Sequence, residues 1–249
     1  MKISLLHPTR GRPEQALQTA RLWLSLAAPS HDLEIEYLVA LDSQDVESYS
    51  TGFLKESFDH SVSIHILHGL RVDPNFQKLP LQNPEKYLST VNKVNALARY
   101  ATGNWLFFIA DDFVPFSGWN VALAEILKLQ DSKTKIIYSS EIKRANLISH
   151  PIMSKGFYDF QGYFFYPEYI HVGCDVDLWM TATCENAILT LPFEIVSKFV
   201  HHNPYLNNNI PLDATYHAGN SALMYQECDR ILAERRIYFK EKYNHVFFV

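Results

Sequence analysis

The segment Trp105–Asn120, WLFFIADDFVPFSGWN, limits the possible folds of this chain more than any other. Four consecutive apolar residues, Leu106-Phe107-Phe108-Ile109, stop abruptly at two adjacent carboxylates, Asp111 and Asp112. A short, continuous apolar run fits a strand buried on both faces, as in parallel-rich sheets; a half-exposed strand would alternate. The two aspartates then stand at the strand's carboxyl end, where open α/β sheets place their ligands. Side-by-side carboxylates repel unless a cation or a proton neutralises them, so a divalent metal is a natural occupant. A plain aspartate turn before Pro115 and Gly118 accounts for the same dipeptide.

The rest of the chain supplies neighbours for such a strand. Residues 3–6 read as a first buried strand ended by His7-Pro8. Pro13-Glu14 then opens a helical pattern that runs to about Ala28, before Pro29. Residues 34–41 form a second expected strand ending at Asp42, and residues 63–67 a third, after a helical stretch at 46–57. Residues 71–86, rich in Pro, Asn and Gln, have no period and read as a loop. Residues 88–101 place Val91, Val94, Leu97 and Ala98 on one helical face, with Gly103 expected to cap it in the left-handed conformation. Strand and helix alternate to about Gln130, which predicts a mostly parallel sheet flanked by crossover helices. Beyond Tyr138 the pattern gives way to aromatic and loop-like segments, and a helix returns from about Ser221 to Lys242.

Bulk properties exclude several classes. The 249-residue chain carries a formal net charge of −5 and no run of lysine or arginine. Long-range attraction to nucleic acid or an anionic membrane is therefore not expected. Cys174, Cys184 and Cys228 form no CxxC pair, which argues against a disulfide framework or thiolate zinc site and for a reducing compartment. The N-terminal apolar run is too short for a signal peptide, and no stretch reaches the ~18 apolar residues of a membrane span. The expected location is cytoplasmic, with no integral membrane segment.

The first strand ends in Pro8-Thr9-Arg10-Gly11-Arg12-Pro13. This is neither a GxGxxG fingerprint nor a phosphate-cradling GxxxxGK[ST] loop. Thr9, Arg10 and Arg12 are nonetheless suited to hydrogen-bond a nucleotide base, ribose or phosphate, or simply to form a polar turn. Asp42 has the acceptor chemistry for a uracil-like base edge and is equally suited to an Asx turn or helix cap. Asn92 and Asn95, three residues apart on one helical face, are placed to brace the carboxylate loop or to touch a nucleotide.

Taken together, strand-PTRxRP-helix, strand-LD, NKxNALARxATG and strand-ADD followed by GW resemble the GT-A fold glycosyltransferases, most closely their inverting, family-2-like group. The likeness is strongest over residues 1–120. It implies an α/β, Rossmann-like, mixed but mostly parallel sheet in a single domain. Residues 1–130 would form the nucleotide-sugar half, 131–220 the acceptor and catalytic half, and 221–249 a C-terminal helix. Pro8, Thr9, Arg10, Arg12, Asp42, Asn92, Asn95 and Asp111 become candidate contacts to the nucleotide-sugar donor, and Asp112 the ligand of a divalent metal, Mn²⁺ or Mg²⁺. Val172–Trp179 resembles the family's GxEDxDL segment, so Asp175 takes the place of the catalytic base. Cys174 and Thr181 depart from that pattern, and Asp177 is the substitute base. An acidic helix N-terminus stabilised by the helix dipole would explain the same residues.

Residues 199–204 end an apolar segment in His201-His202, and many GT-A enzymes add a C-terminal histidine to the metal shell. Histidine among oxygen ligands favours manganese or another first-row metal. Neighbours on a strand point to opposite faces, so one histidine is expected to coordinate, with His202 favoured. Asp213 and His217 follow closely enough to order the same loop. The aromatic block from His150 to Tyr169 is expected to pack as a β-hairpin, with one or two of Tyr158, Tyr163 and Tyr166 touching ligand. The activity implied is metal-dependent transfer of a sugar, with UDP-sugars favoured, to an acceptor hydroxyl with inversion. The acceptor is left open among a glycan, a lipid-linked sugar, a protein and a modified nucleic acid. The competing readings are a nucleotide-sugar-binding module without turnover, a sugar-phosphate nucleotidyltransferase, and a metal-dependent hydrolase.

Overall fold

The computed structural model describes residues 1–42, 61–67, 90–140, 147–202 and 222–247. Its strands are β1 (Lys2–Pro8), β2 (Glu34–Asp42), β3 (Ser61–Leu67), β4 (Trp105–Phe108), β5 (Phe113–Val114), β6 (Ile137–Ser139), β7 (Pro151–Ser154), β8 (Ile188–Thr190) and β9 (Val200–His201). The helices are α1 (Pro13–Ser25), α2 (Thr90–Tyr100), α3 (Trp119–Leu127), α4 (Lys155–Gln161), α5 (Cys174–Cys184), α6 (Phe193–Val196) and α7 (Ala222–Tyr243). Seven strands form one sheet in the order β3-β2-β1-β4-β7-β6-β8, in which only β7 runs against the others. The mixed, mostly parallel α/β sheet expected from the alternation is therefore present.

Both faces of the sheet are covered, which is why its central strands read as unbroken apolar runs. Ile3, Leu5, Tyr37, Val39, Phe107 and Ile109 face α1 and α3, where they meet Ala16, Ala20, Trp23, Trp119 and Leu123. Leu6, Leu38, Ala40 and Leu106 face α2 and α5, meeting Val91, Val94, Leu97 and Leu178. Parity along β1 puts His7 on the α1 side with Leu5, and the Asp111 carbonyl meets α1 directly through Thr19 and Gln15.

β4 is shorter than the apolar run suggested. After Phe108 the chain leaves the sheet, and the Phe113 N–H donates to the Ala110 carbonyl at 3.1 Å. Asp111 and Asp112 are thus the two central residues of a β-turn. Beyond it β5 pairs antiparallel with β9, setting Phe113 opposite His201.

Gly103 is not in the left-handed region; its role is close approach. A Cβ there would lie 2.5 Å from Ser4 Oγ and 2.8 Å from Ser4 N. The expected aromatic hairpin is also replaced. β7 inserts antiparallel between β4 and β6, and Ser154 Oγ then caps α4 by accepting from the Phe157 N–H at 3.1 Å. Among the described residues no helix is long and apolar enough to cross a membrane.

Candidate active site

The chain winds from β1 outward to β2 and β3 and then returns to place β4 on the other side of β1. The carboxyl ends of β1 and β4 therefore form the switch point at which doubly wound sheets bind ligands. Asp111 is anchored there on every side. His7 Nε2 lies 2.8 Å from its Oδ1, and Thr9 Oγ1 donates to its Oδ2 at 3.0 Å. Its carbonyl accepts from Thr19 Oγ1 at 2.8 Å and from Gln15 Nε2 at 3.3 Å. Behind His7, the Tyr37 hydroxyl lies 2.6 Å from Nδ1. Burial first, and the Asp111 charge second, push the Tyr37 phenol well above its ordinary pKa, so it keeps its proton. With Tyr37 donating to Nδ1, the Nε2–H is left to donate to Asp111, and every polar atom of this fully buried pair is satisfied.

Asp112 points elsewhere. Its Oδ2 is 3.6 Å from His201 Nε2, with both side chains largely covered. The Asp112 carbonyl accepts the His202 N–H at 2.8 Å, while the His202 side chain is exposed. The imidazole brought to Asp112 is therefore that of His201, and the preference for His202 is corrected. β9 pairing decides this, because the residue opposite Phe113 turns toward the aspartate turn. His201 is set edge-on against His150 at 4.6 Å, and His150 stacks on Phe113 at 4.0 Å. His150 holds a left-handed backbone, φ 45°.

One oxygen donor and one imidazole 3.6 Å apart fit neighbouring positions in the shell of a first-row divalent ion. No group of three or more His, Cys, Asp or Glu among the described residues is arranged to hold a metal. Asp112 and His201 would thus hold such an ion only together with ligand oxygens or water.

Cationic and polar groups surround this end of the sheet. Lys93, 2% exposed, donates from Nζ to the Thr9 carbonyl at 2.8 Å and ties α2 to the β1 turn. His171 keeps solvent access although its pKa is lowered, first by the crowding of the protein around it. The Asp112 carboxylate opposes that shift and the Arg12 guanidinium adds to it, as for a group lining a concave surface. Arg10 and Arg12 flank Gly11, whose φ of 63° turns the chain between them. Asp42 ends β2, but its side chain lies outside the described residues, as do Asp213 and His217.

The two aspartates of α5 part company. Asp175, half-buried in the first turn, accepts the Val176 N–H at 3.0 Å, and its carbonyl accepts the Ile148 N–H at 3.4 Å. Residues 148–150 precede β7 and so lie beyond the carboxyl end of β4, which brings Asp175 to the site's side of the sheet. Asp177, 1% exposed, instead takes Arg235 of α7 at 2.6 Å through Nε and 3.4 Å through the Nη2 nitrogen. Burial pushes its carboxyl up while Arg235 holds it back. The geometry withdraws Asp177 as a substitute base and makes it a buried structural partner.

Asn95 is also engaged within the protein. Its Oδ1 accepts the N–H groups of Phe164 and Phe165 at 2.8 and 2.9 Å, and its Nδ2 donates to the Phe165 carbonyl at 2.8 Å. It braces the aromatic loop through both ends of its amide. Asn92 lies half-buried on the same helix. Of the three rings expected to touch ligand, Tyr158 is buried and Tyr163 and Tyr166 are half-buried; Tyr166, with Tyr238 and Phe239, lies 4.2, 4.6 and 4.7 Å from the Arg235 guanidinium. His7, Tyr37, Lys93, His150, His171 and Arg235 were not singled out in the sequence. A histidine closing an otherwise apolar strand was the one local signal among them.

No protein-family model matches the chain, and no curated protein matches it by sequence. Solved structures do match in shape. Glucosyl-3-phosphoglycerate synthase from Mycobacterium tuberculosis, in complex with Mn²⁺, UDP and phosphoglyceric acid, aligns with TM-score 0.56 and 13% identity over 94% of this chain and 78% of that one. S. aureus TarS 1–349 aligns with TM-score 0.55 and 13% identity over 97% of this chain and 74% of that one. The mannosyltransferase PcManGT from Pyrobaculum calidifontis, in complex with GDP-Man and Mn²⁺, aligns with TM-score 0.53 and 14% identity over 77% and 55%. At such identities the likeness is one of architecture, and the chain accordingly has the GT-A fold of nucleotide-sugar glycosyltransferases.

Proposed function

We propose that this protein transfers a glycosyl group from a nucleotide-diphosphate sugar to an acceptor hydroxyl, with inversion, using a divalent metal. The observation that carries the reading is the Asp112–His201 pair, a carboxylate and an imidazole 3.6 Å apart at the switch point of the sheet. Two structures of the same architecture were solved with Mn²⁺ and a nucleotide or nucleotide sugar, which supports carrying that chemistry over.

In this reading Asp112 and His201 hold the ion. When bound, it supplies positive charge against the leaving diphosphate. Arg10 and Arg12 lie on the turn that meets the phosphates, and the buried Lys93 keeps that turn in place through the Thr9 carbonyl. Asp111, clamped by His7 and Thr9, presents a fixed carboxylate edge to the donor. Asp175 takes the proton of the acceptor hydroxyl as its oxygen bonds to the anomeric carbon and the bond to the diphosphate oxygen breaks. That single displacement inverts the anomeric centre. Asp177 is bound to Arg235, and the base role is assigned to Asp175, the other carboxylate of α5.

A thermal-shift panel of UDP- and GDP-sugars, with and without Mn²⁺, tests donor and metal together. Stabilisation by one nucleotide class that requires the metal is the expected outcome; none with any pair would sink the reading. Asp175→Asn should keep donor binding and lower transfer by roughly 10²–10⁴-fold. Undiminished turnover by that variant would remove Asp175 as the base, and metal-dependent binding without any turnover would point to a binding module.

A further inference from the structure

Position 7 lies near the end of β1, after Leu5 and Leu6, which are apolar and fully buried. An aliphatic side chain there would complete the α1 face. Histidine stands there instead, fully buried, and a buried imidazole is costly unless both nitrogens find partners. One partner is the Tyr37 hydroxyl from the neighbouring strand and the other the first carboxylate of the aspartate turn. The rings of His7 and Tyr37 meet edge-on at 5.8 Å, so Tyr37 holds the imidazole by packing as well as by its hydroxyl.

We infer that His7, oriented by Tyr37, is a positioning residue for donor binding: it sets the plane of the Asp111 carboxylate and, through the shared turn, the direction of Asp112. The inference rests on the glycosyl-transfer reading above and concerns the same site. Its physical basis is the economy of the turn. Asp111 and Asp112 share one peptide unit, so fixing the first restricts the second. The first is held at both carboxylate oxygens by His7 and Thr9 and at its carbonyl by Thr19 and Gln15. Thr9, Thr19 and Gln15 come from the β1 turn and α1, on the outer side of the turn. His7 is the contact that ties Asp111 back into the sheet and, through Tyr37, to β2. Without it Oδ1 loses its protein donor and the carboxylate can rotate about its side-chain torsions, which are otherwise held only by Thr9.

The test measures binding of UDP and of GDP in the presence of Mn²⁺ by titration calorimetry. It compares wild type, His7→Leu, His7→Gln and Tyr37→Phe as full chains, with a thermal melt of each. His7→Leu should weaken binding of the preferred nucleotide roughly tenfold, as loss of one hydrogen bond to a charged group does. His7→Gln, whose amide nitrogen can take the place of Nε2, should recover most of that affinity. Tyr37→Phe should weaken binding by about threefold, because the imidazole keeps its contact with Asp111 but loses the hydroxyl that orients it. A purely structural network would lower the melting temperature of His7→Leu and Tyr37→Phe and leave both affinities at the wild-type value, which would overturn the inference. If His7→Leu does not fold, Tyr37→Phe decides, and unchanged affinity there is equally fatal. A wild-type protein that binds neither nucleotide with Mn²⁺ would bring down the functional reading and this inference with it. Wild-type binding with unaffected variants would bring down this inference alone.

Discussion

Replacing Arg235 by methionine tests whether α7 is fastened to α5 by one buried ion pair. The Arg235 and Asp177 side chains are 9% and 2% exposed, and their closest approach is 2.6 Å. Three rings within 4.7 Å of the guanidinium exclude water from it. Methionine keeps the volume and removes the charge, leaving the Asp177 carboxylate in an apolar cavity. Breaking a buried pair from one side costs about 3–5 kcal/mol. In a chain of this size that corresponds to a fall in melting temperature of about 10 °C, at roughly 2–4 °C per kcal/mol. Asp177→Asn should cost less, because the guanidinium keeps its aromatic contacts and an amide oxygen to donate to. The double variant should lose less than the sum of the two single losses. Burial already favours the protonated carboxyl of Asp177, and without Arg235 that preference is unopposed. The folded-state pKa is then raised above the unfolded one, so the deficit of Arg235→Met should shrink as pH falls from 7 toward 4. Thermal denaturation followed by circular dichroism across that range is the assay. A fall of less than about 2 °C for Arg235→Met, or a deficit independent of pH, would refute the fastening. Loss of turnover in Asp177→Asn at unchanged stability would restore Asp177 as a base.

The remaining expectations are narrower. His201→Ala should lower Mn²⁺ affinity at least tenfold by metal titration, whereas His202→Ala should leave it unchanged, since His202 offers Asp112 only its backbone N–H. Gly103→Ala should destabilise the fold by about 1–3 kcal/mol in denaturant titration, because its Cβ would press on the Ser4 backbone, which cannot move without disturbing β1. Glu36 is buried, which works to raise its pKa. Donation from Ser4 Oγ and from the N–H and Oγ1 of Thr102, together with Lys2, more than reverses this and leaves it lowered. Its contribution is therefore present at neutral pH and is lost as pH falls below the ordinary glutamate range through the lowered folded value. Glu36→Gln should flatten that acid limb of the stability profile.

Legible in the chain alone were the features set by local periodicity and chain order. Apolar runs and amphipathic stretches placed β1, β2, β4, α1, α2 and α7 close to where they lie, and alternation implied the parallel sheet. A run halted by Asp111-Asp112 pointed to the candidate site, because a buried strand must emerge somewhere and two carboxylates cannot remain inside it unpartnered. What the sequence could not reveal is which polar side chain faces which. Asn95 and Asp177 looked available because their spacing matched a functional motif; Phe164, Phe165 and Arg235, distant in sequence, take up their hydrogen-bonding groups. His201 rather than His202 meets Asp112 because β9 pairs with β5 in one register, and a shift of one residue would exchange them. The link from Tyr37 through His7 to Asp111 joins β2, β1 and the turn after β4, and exists only once the sheet is assembled. Chain periodicity decides where the backbone runs, and only the packed sheet decides which carboxylates are free to act.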